Sequence, residues 1–153
     1  MEQALKLAEA ARSMSGLDFL NAIRDGRLPP APIAELMGFR LAELSPGGAV
    51  FECVPGHRHY NPIGVVHGGL AMTLLDSTMG CAVQTTLPAG TGYTTLEAKT
   101  NLVRAITADT GKLRAIGKVV HSGSRIATAE GRLEDLQGRL YAHATTTCII
   151  LKG

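Results

Sequence analysis

The residues able to do chemistry gather in one stretch of this 153-residue chain, from His59 to Val83: HYNPIGVVHGGLAMTLLDSTMGCAV. Asp76 is the one carboxylate in an otherwise apolar helix candidate over Gly69–Thr85. A carboxylate buried without a partner is costly, so an acid at that place implies either a satisfied structural pair or a chemical task. Gly68-Gly69 forms a turn at the head of the same helix, where free backbone N–H groups make an anion or oxyanion site. His67 precedes the turn, either as an acid–base group or as a ring that fixes it. Asn61 offers an amide to a carbonyl or a water, or else simply starts an Asn-Pro turn. Together the set suits attack on an acyl carbonyl: Gly69 N–H polarises the oxygen, and Asp76 activates water or attacks directly.

Spacing limits how these groups cooperate. At 1.5 Å of rise per residue, Gly68 and Asp76 lie about 12 Å apart along one helix. A general base must reach its proton within about 3 Å, directly or through one water. One chain therefore cannot bring its own turn and its own acid to one carbonyl. Two chains can, with their helices antiparallel about a two-fold axis. The expected protein is at least a dimer with two equivalent sites. His57-x-His59 is a possible metal pair, but no third ligand has suitable spacing, and solvated loop histidines are expected instead.

The elements that must position this stretch follow from pattern and punctuation. Residues 2–13 favour helix. Ser15 is the expected N-cap of a second helix, Leu17–Asp25, ended by Gly26. Leu28–Pro32 must be extended. Ile33–Met37 is one helical turn closed by Gly38. Strands Phe39–Leu44 and Ala49–Val54 flank the turn Ser45-Pro46-Gly47-Gly48. After the central helix come strands Tyr93–Val103, Lys112–His121, Arg125–Leu133 and Leu140–Leu151, at spacings that predict one antiparallel meander. The fold class is α+β: a curved six-stranded antiparallel sheet on one long helix, with residues 1–32 as an N-terminal helical extension and 33–153 as the main domain.

Composition excludes several classes. Net charge is +2 without a basic stripe, which argues against nucleic acid. No apolar run is long enough for a membrane span. Cys53, Cys81 and Cys148 are odd in number and widely spaced, as expected of reduced thiols rather than a disulfide frame or zinc site. The charged first residues lack a signal-peptide pattern, so a cytoplasmic location is the expectation.

The motif N-P-x-G-x-V-H-G-G, followed seven residues later by Asp, resembles the hotdog-fold acyl-CoA thioesterases. It is most similar to the phenylacetate-pathway branch and its relatives acting on hydroxybenzoyl-CoA. The resemblance covers roughly residues 33–150. It implies hydrolysis of an acyl-CoA, aromatic or short to medium in chain, to free acid and coenzyme A. It implies Asp76 as nucleophile or general base, Gly68 and Gly69 as the oxyanion turn, Asn61 facing it, and Ser77 as an aid to positioning water. It further implies coenzyme A contacts from Ser122, Gly123, Ser124 and Arg125, and from Arg104. Coenzyme A enters as part of the substrate, with no separate cofactor or metal, and a homotetramer is the assembly the family implies. One departure is Gly80, where the hydroxybenzoyl branch carries a hydroxyl residue. The competing readings are a hotdog dehydratase and a non-catalytic acyl-CoA sensor. The first is disfavoured by Gly-Gly after His67, the second by retention of Asp76.

Overall fold

The computed structural model describes residues 1–153. The chain enters through α1 (Glu2–Ser13), which has no buried residue. α2 (Gly16–Arg24) begins at Ser15, whose hydroxyl accepts the Asp18 N–H at 3.2 Å, the N-cap expected of a serine there. α3 (Pro32–Met37) stops at Gly38, which takes the left-handed conformation (φ 70°) that glycine adopts without strain. β1 (Phe39–Ser45) and β2 (Gly48–Cys53) form a hairpin. A loop with one 3₁₀ turn, His57–His59, leads to α4 (Gly68–Gln84). β3 (Thr91–Leu102), β4 (Leu113–Ser122), β5 (Ile126–Asp135) and β6 (Leu140–Lys152) complete the chain.

The sheet is antiparallel throughout, in the order β1-β2-β4-β5-β6-β3. This corrects the simple meander predicted from spacing. β3 does not pair with β4; it runs along β6 at the far edge, with Leu102 opposite Ala142 and Thr91 opposite Lys152. The reason is α4, which carries the chain from β2 across the sheet before β3 begins. Residues 103–112 then return it to β4, a link too long for a tight hairpin. Only β4, β5 and β6 meander.

α4 lies in the hollow of this sheet and touches all six strands. Its own Leu74, Leu75, Met79 and Val83 are wholly buried. Each such side chain contributes about 1.5–3 kcal/mol by leaving water. Gly117 of β4 pairs with Gly131 of β5 where the helix comes closest. A Cβ on Gly117 would lie 2.7 Å from the Thr78 carbonyl oxygen, and one on Gly131 would lie 3.0 Å from Leu75 and Met79. The glycine pair is the flat seat that lets α4 settle. The N-terminal helices dock at the other end of α4. Gly16 N–H donates to the Leu87 carbonyl at 2.9 Å, and a Cβ on Gly16 would fall 1.7 Å from the Gln84 oxygen. No helix is long and apolar enough to cross a membrane. All three cysteines are free, Cys53 and Cys148 buried.

Candidate active site

His67 is the N-cap of α4, and its Nδ1 accepts the Gly69 N–H at 2.8 Å. The ring therefore fixes the turn. The Gly69 N–H, expected from the sequence to polarise a carbonyl, is thus occupied within the chain. Leu70 N–H donates to the His67 carbonyl at 3.0 Å. Gly68 N–H, at the first position of the helix, has no acceptor in the protein. It is the donor that remains, on the positive end of the helix dipole.

Asn61 shapes the loop before the turn. Its side-chain oxygen accepts N–H groups from Ile63 at 3.1 Å and Val65 at 3.3 Å. Its amide nitrogen has no partner in the protein. His59 is not the solvated histidine expected: Nδ1 accepts Gly56 N–H at 3.0 Å and Nε2 lies 2.9 Å from the Met37 carbonyl. It ties this loop to the end of α3. His57 packs on Tyr60, ring centroids 4.9 Å apart.

Asp76 stands two turns along α4, and its surroundings correct a second expectation. It is exposed in the single chain. It lies in a shallow cleft of about 360 Å³ with Met72, Thr73, Thr95, Ala98 and Thr100. Its one hydrogen bond comes from Thr95 Oγ1, at 2.9 Å to Oδ1. The register of β3 against β6 shifts between Thr95 and Glu97. Such a bulge re-aims side chains, and here it sits beside the acid.

Ser77 turns away from this cleft, into a larger chamber of about 560 Å³ shared with Cys81, Gln84 and Tyr93. Gly80, one turn after Asp76, meets the Tyr93 ring of that chamber. A Cβ there would lie 2.3 Å from the Tyr93 hydroxyl oxygen, so the Tyr93 ring occupies the place of a side chain at position 80. Burial pushes the Tyr93 phenol well above its ordinary value, with Cys81, Cys148 and Asp76 adding to the shift. The Cys81 thiol is pushed up to about 12, by burial first and by the Asp76 charge second. Both groups are neutral at physiological pH.

The residues linked to coenzyme A by resemblance do not converge in one chain. Arg104 follows β3 at one end of the sheet, its Nε 3.4 Å from the Leu140 carbonyl and its guanidinium 5.8 Å from the Tyr141 ring centroid. Ser122–Arg125 is the β4–β5 turn at the opposite end. Ser122 Oγ lies 3.3 Å from Thr86 Oγ1, and Gly123 N–H donates to the Ile126 carbonyl at 2.9 Å. Leu133 is seven residue steps along β5 from Ile126, which at 3.4 Å per residue is about 24 Å.

Two residues of this site were missed from sequence. Thr95 and Tyr93 face α4 from β3, and strand alternation does put them on one face. What hid their role was the register of β3 against α4, which local pattern does not carry.

Residues 63–142 match the family model described as the thioesterase superfamily. A protein of Saccharolobus solfataricus named "Putative esterase SSO2140" is 30% identical over 120 residues, spanning 78% of this chain and 84% of that protein. Among solved structures, a conserved protein from Pseudomonas aeruginosa is 31% identical with a TM-score of 0.74, covering 80% of this chain and 95% of its own. A mutant of the phenylacetic acid degradation protein PaaI from Thermus thermophilus is 28% identical, TM-score 0.70, covering 78% and 98%. The fold these share is the hotdog: a curved antiparallel sheet around one helix.

Proposed function

The chain belongs to the thioesterase superfamily and is a thioester hydrolase, and from that premise we propose that it hydrolyses an acyl-CoA at a site shared between two copies of itself. The carrying observation is the pair of groups that α4 leaves without protein partners enough: Gly68 N–H with none, and Asp76 with Thr95 alone. They are about 12 Å apart. An antiparallel second α4 brings the Gly68 turn of one chain to the Asp76 of the other. The surface around Asp76 is apolar enough to be covered: Met72 is 47% exposed, and β3, an edge strand, leaves Leu96 56% exposed.

In this reading the thioester carbonyl accepts Gly68 N–H and the Asn61 amide. Asp76 either takes a proton from water, whose oxygen bonds to the carbonyl carbon, and passes that proton to the departing sulfur, or adds to the carbon itself to give a mixed anhydride, which water then hydrolyses to the free acid while the proton released goes to the thiolate. The C–S bond breaks and coenzyme A leaves as the thiol. Developing negative charge falls on the carbonyl oxygen, where the turn stabilises it. Thr95 holds the carboxylate, and His67 holds the turn. Arg104 and the Ser122–Arg125 turn are the proposed contacts for the nucleotide, from different ends of the sheet and hence from different copies. A steady-state panel of acyl-CoA thioesters with the Asp76→Asn variant tests this. Hydrolysis is expected from the wild type, with a loss of about 10²-fold or more in the variant. A variant with unchanged turnover removes Asp76 from the mechanism.

A further inference from the structure

The chamber beside Ser77 has no part in the chemistry above, and it is larger than the cleft that holds Asp76. Its volume, about 560 Å³, is in the range that holds a drug-sized ligand, about 300–1,000 Å³. The N-terminal helices build one wall of it. Leu7 of α1, Phe19 and Ile23 of α2 and Leu28 of the following link face Phe51 of β2 across the space. Ser77, Cys81 and Tyr93 also line it. The helices have a built reason to be there, since Gly16 admits the carbonyl of Gln84 at a distance no other residue tolerates.

The chamber is apolar and offers no free charge. Arg24 and Arg40 reach it, but Arg24 is paired with Asp25 at 3.0 Å and Arg40 with Glu52. Cys81 and Tyr93 are neutral. A charged group entering here would meet no unpaired partner. The chamber also adjoins the acid. Ser77 lines the chamber and Asp76 the cleft, and the two are consecutive on α4; one turn on, the Tyr93 ring lies against Gly80. A side chain at position 80 would displace that ring.

We propose that this chamber receives the acyl group of the thioester, that it takes an uncharged, apolar acyl group of medium length or larger, and that Tyr93 seated against Gly80 is the threshold the chain passes. The inference rests on the acyl-CoA reading above. It gives the N-terminal helices a function: they are the far wall of the acyl site, supplied by the same chain as Asp76. An acetyl group would leave the chamber empty and gain nothing from it, whereas a ten-carbon chain would bury itself against Phe19, Ile23 and Phe51.

Three substitutions test this on the full-length protein. Ala31 lines the chamber and is exposed, so Ala31→Trp fills the space without entering the core. The wild type is expected to favour decanoyl-CoA over acetyl-CoA at least tenfold in kcat/KM. Ala31→Trp is expected to cut that ratio about tenfold, while Leu36→Trp, on the exposed side of α3 outside the chamber, leaves it as it was. Gly80→Ala displaces Tyr93 and is expected to lower the same ratio. A ratio unmoved by Ala31→Trp, or a wild type that prefers acetyl-CoA, overturns the proposal.

A binding measurement separates this proposal from the hydrolytic reading. The protein has no tryptophan, so Ile33→Trp places a single emitter at the chamber. Decanoyl-CoA is expected to shift its emission saturably and coenzyme A alone is not. An equal response to both, or to neither, overturns the chamber assignment even where Asp76 proves catalytic. A shift with decanoyl-CoA and no hydrolysis of any thioester would instead sink the hydrolytic reading and leave the chamber occupied.

Discussion

Asp135 closes the β5–β6 turn with four hydrogen bonds from its own chain: Gln137 N–H at 2.9 Å, Arg139 N–H at 3.0 Å, Arg139 Nε at 2.7 Å and Tyr141 hydroxyl at 3.3 Å. It is 3% exposed. Asp76, on the central helix, is exposed and has Thr95 alone. Both are carboxylates beside the same apolar core. The first has every acceptor site answered locally, so its task is finished when the chain folds. The second lies among threonines, Met72 and Ala98, of which only Thr95 answers it, with an unpaired helix N–H two turns away. Asp135 is thus both buried and fully partnered, whereas Asp76 is exposed with one partner, which in the proposed mechanism leaves its carboxylate open to water or substrate.

Substituting the two acids breaks or sharpens that contrast. Asp76→Asn is expected to lower kcat by about 10²–10⁴-fold with the thermal midpoint unchanged. Asp135→Asn is expected to do the reverse: a lower melting temperature, with turnover retained below it. Calorimetry and steady-state kinetics on both variants check the pair, and swapped effects would void the distinction.

The donor end of the helix gives the next largest effect. Gly68→Pro deletes the one N–H that lacks an acceptor. Proline is well tolerated at a first helical position, and His67 already has the extended backbone (ψ 133°) that a residue before proline needs. A Cβ at position 68 would strike the half-exposed Leu102 side chain, which must swing aside, and the helix should then persist while kcat falls about 10²–10³-fold. Far-UV circular dichroism beside the kinetics separates a lost donor from a lost helix.

Smaller effects mark the supports. His67→Ala removes the cap on Gly69 and is expected to cost about 1 kcal/mol of stability, measured by denaturant unfolding. Gly69→Ala should match it, because a Cβ there would lie 2.8 Å from His67 Nδ1 and push the ring aside. Thr95→Val takes away the only bond to Asp76 and is expected to lower kcat by about tenfold.

Asp135 also has a signature in pH. Burial alone would raise its carboxyl, but the Arg139 N–H, the Arg139 guanidinium and the Gln137 N–H outweigh burial and hold it below the ordinary 3.8. A depressed folded-state value contributes stability above about pH 4 and loses it as pH falls through the folded value. The acid limb of the stability curve is therefore expected to flatten in Asp135→Asn.

Much of this was legible in the sequence, and the exceptions have a common cause. Ser15 as a cap, Gly38 as a stop and the strands after Gly92 follow from local rules, and they fall within a residue or two of where those rules put them. The place of β3 did not follow, because pairing across a helix crossover depends on where α4 sets the chain down. The Asn61, His67-Gly68-Gly69 and Asp76 set was legible as residue types. Which glycine keeps a free N–H was not, since His67 chooses Gly69 through its ring rotamer. The exposure of Asp76 was hidden too, because an apolar helix reads as buried all round until the sheet is seen to leave one stripe uncovered. Thr95 and Tyr93 needed the bulge and the register of an edge strand.

The central claim is that one site takes its donor from one copy and its acid from another. Mixing the Asp76→Asn protein with the Gly68→Pro protein, after joint unfolding and refolding, tests it most directly. Each variant alone is expected to be nearly inactive. In a random mixture about half the dimers are hybrid, and each hybrid has one site with both an intact turn and an intact acid. Activity is expected to return to about a quarter of the wild-type rate. A mixture that contains hybrids, shown by native mass spectrometry, yet stays as inactive as its parents would contradict the shared site.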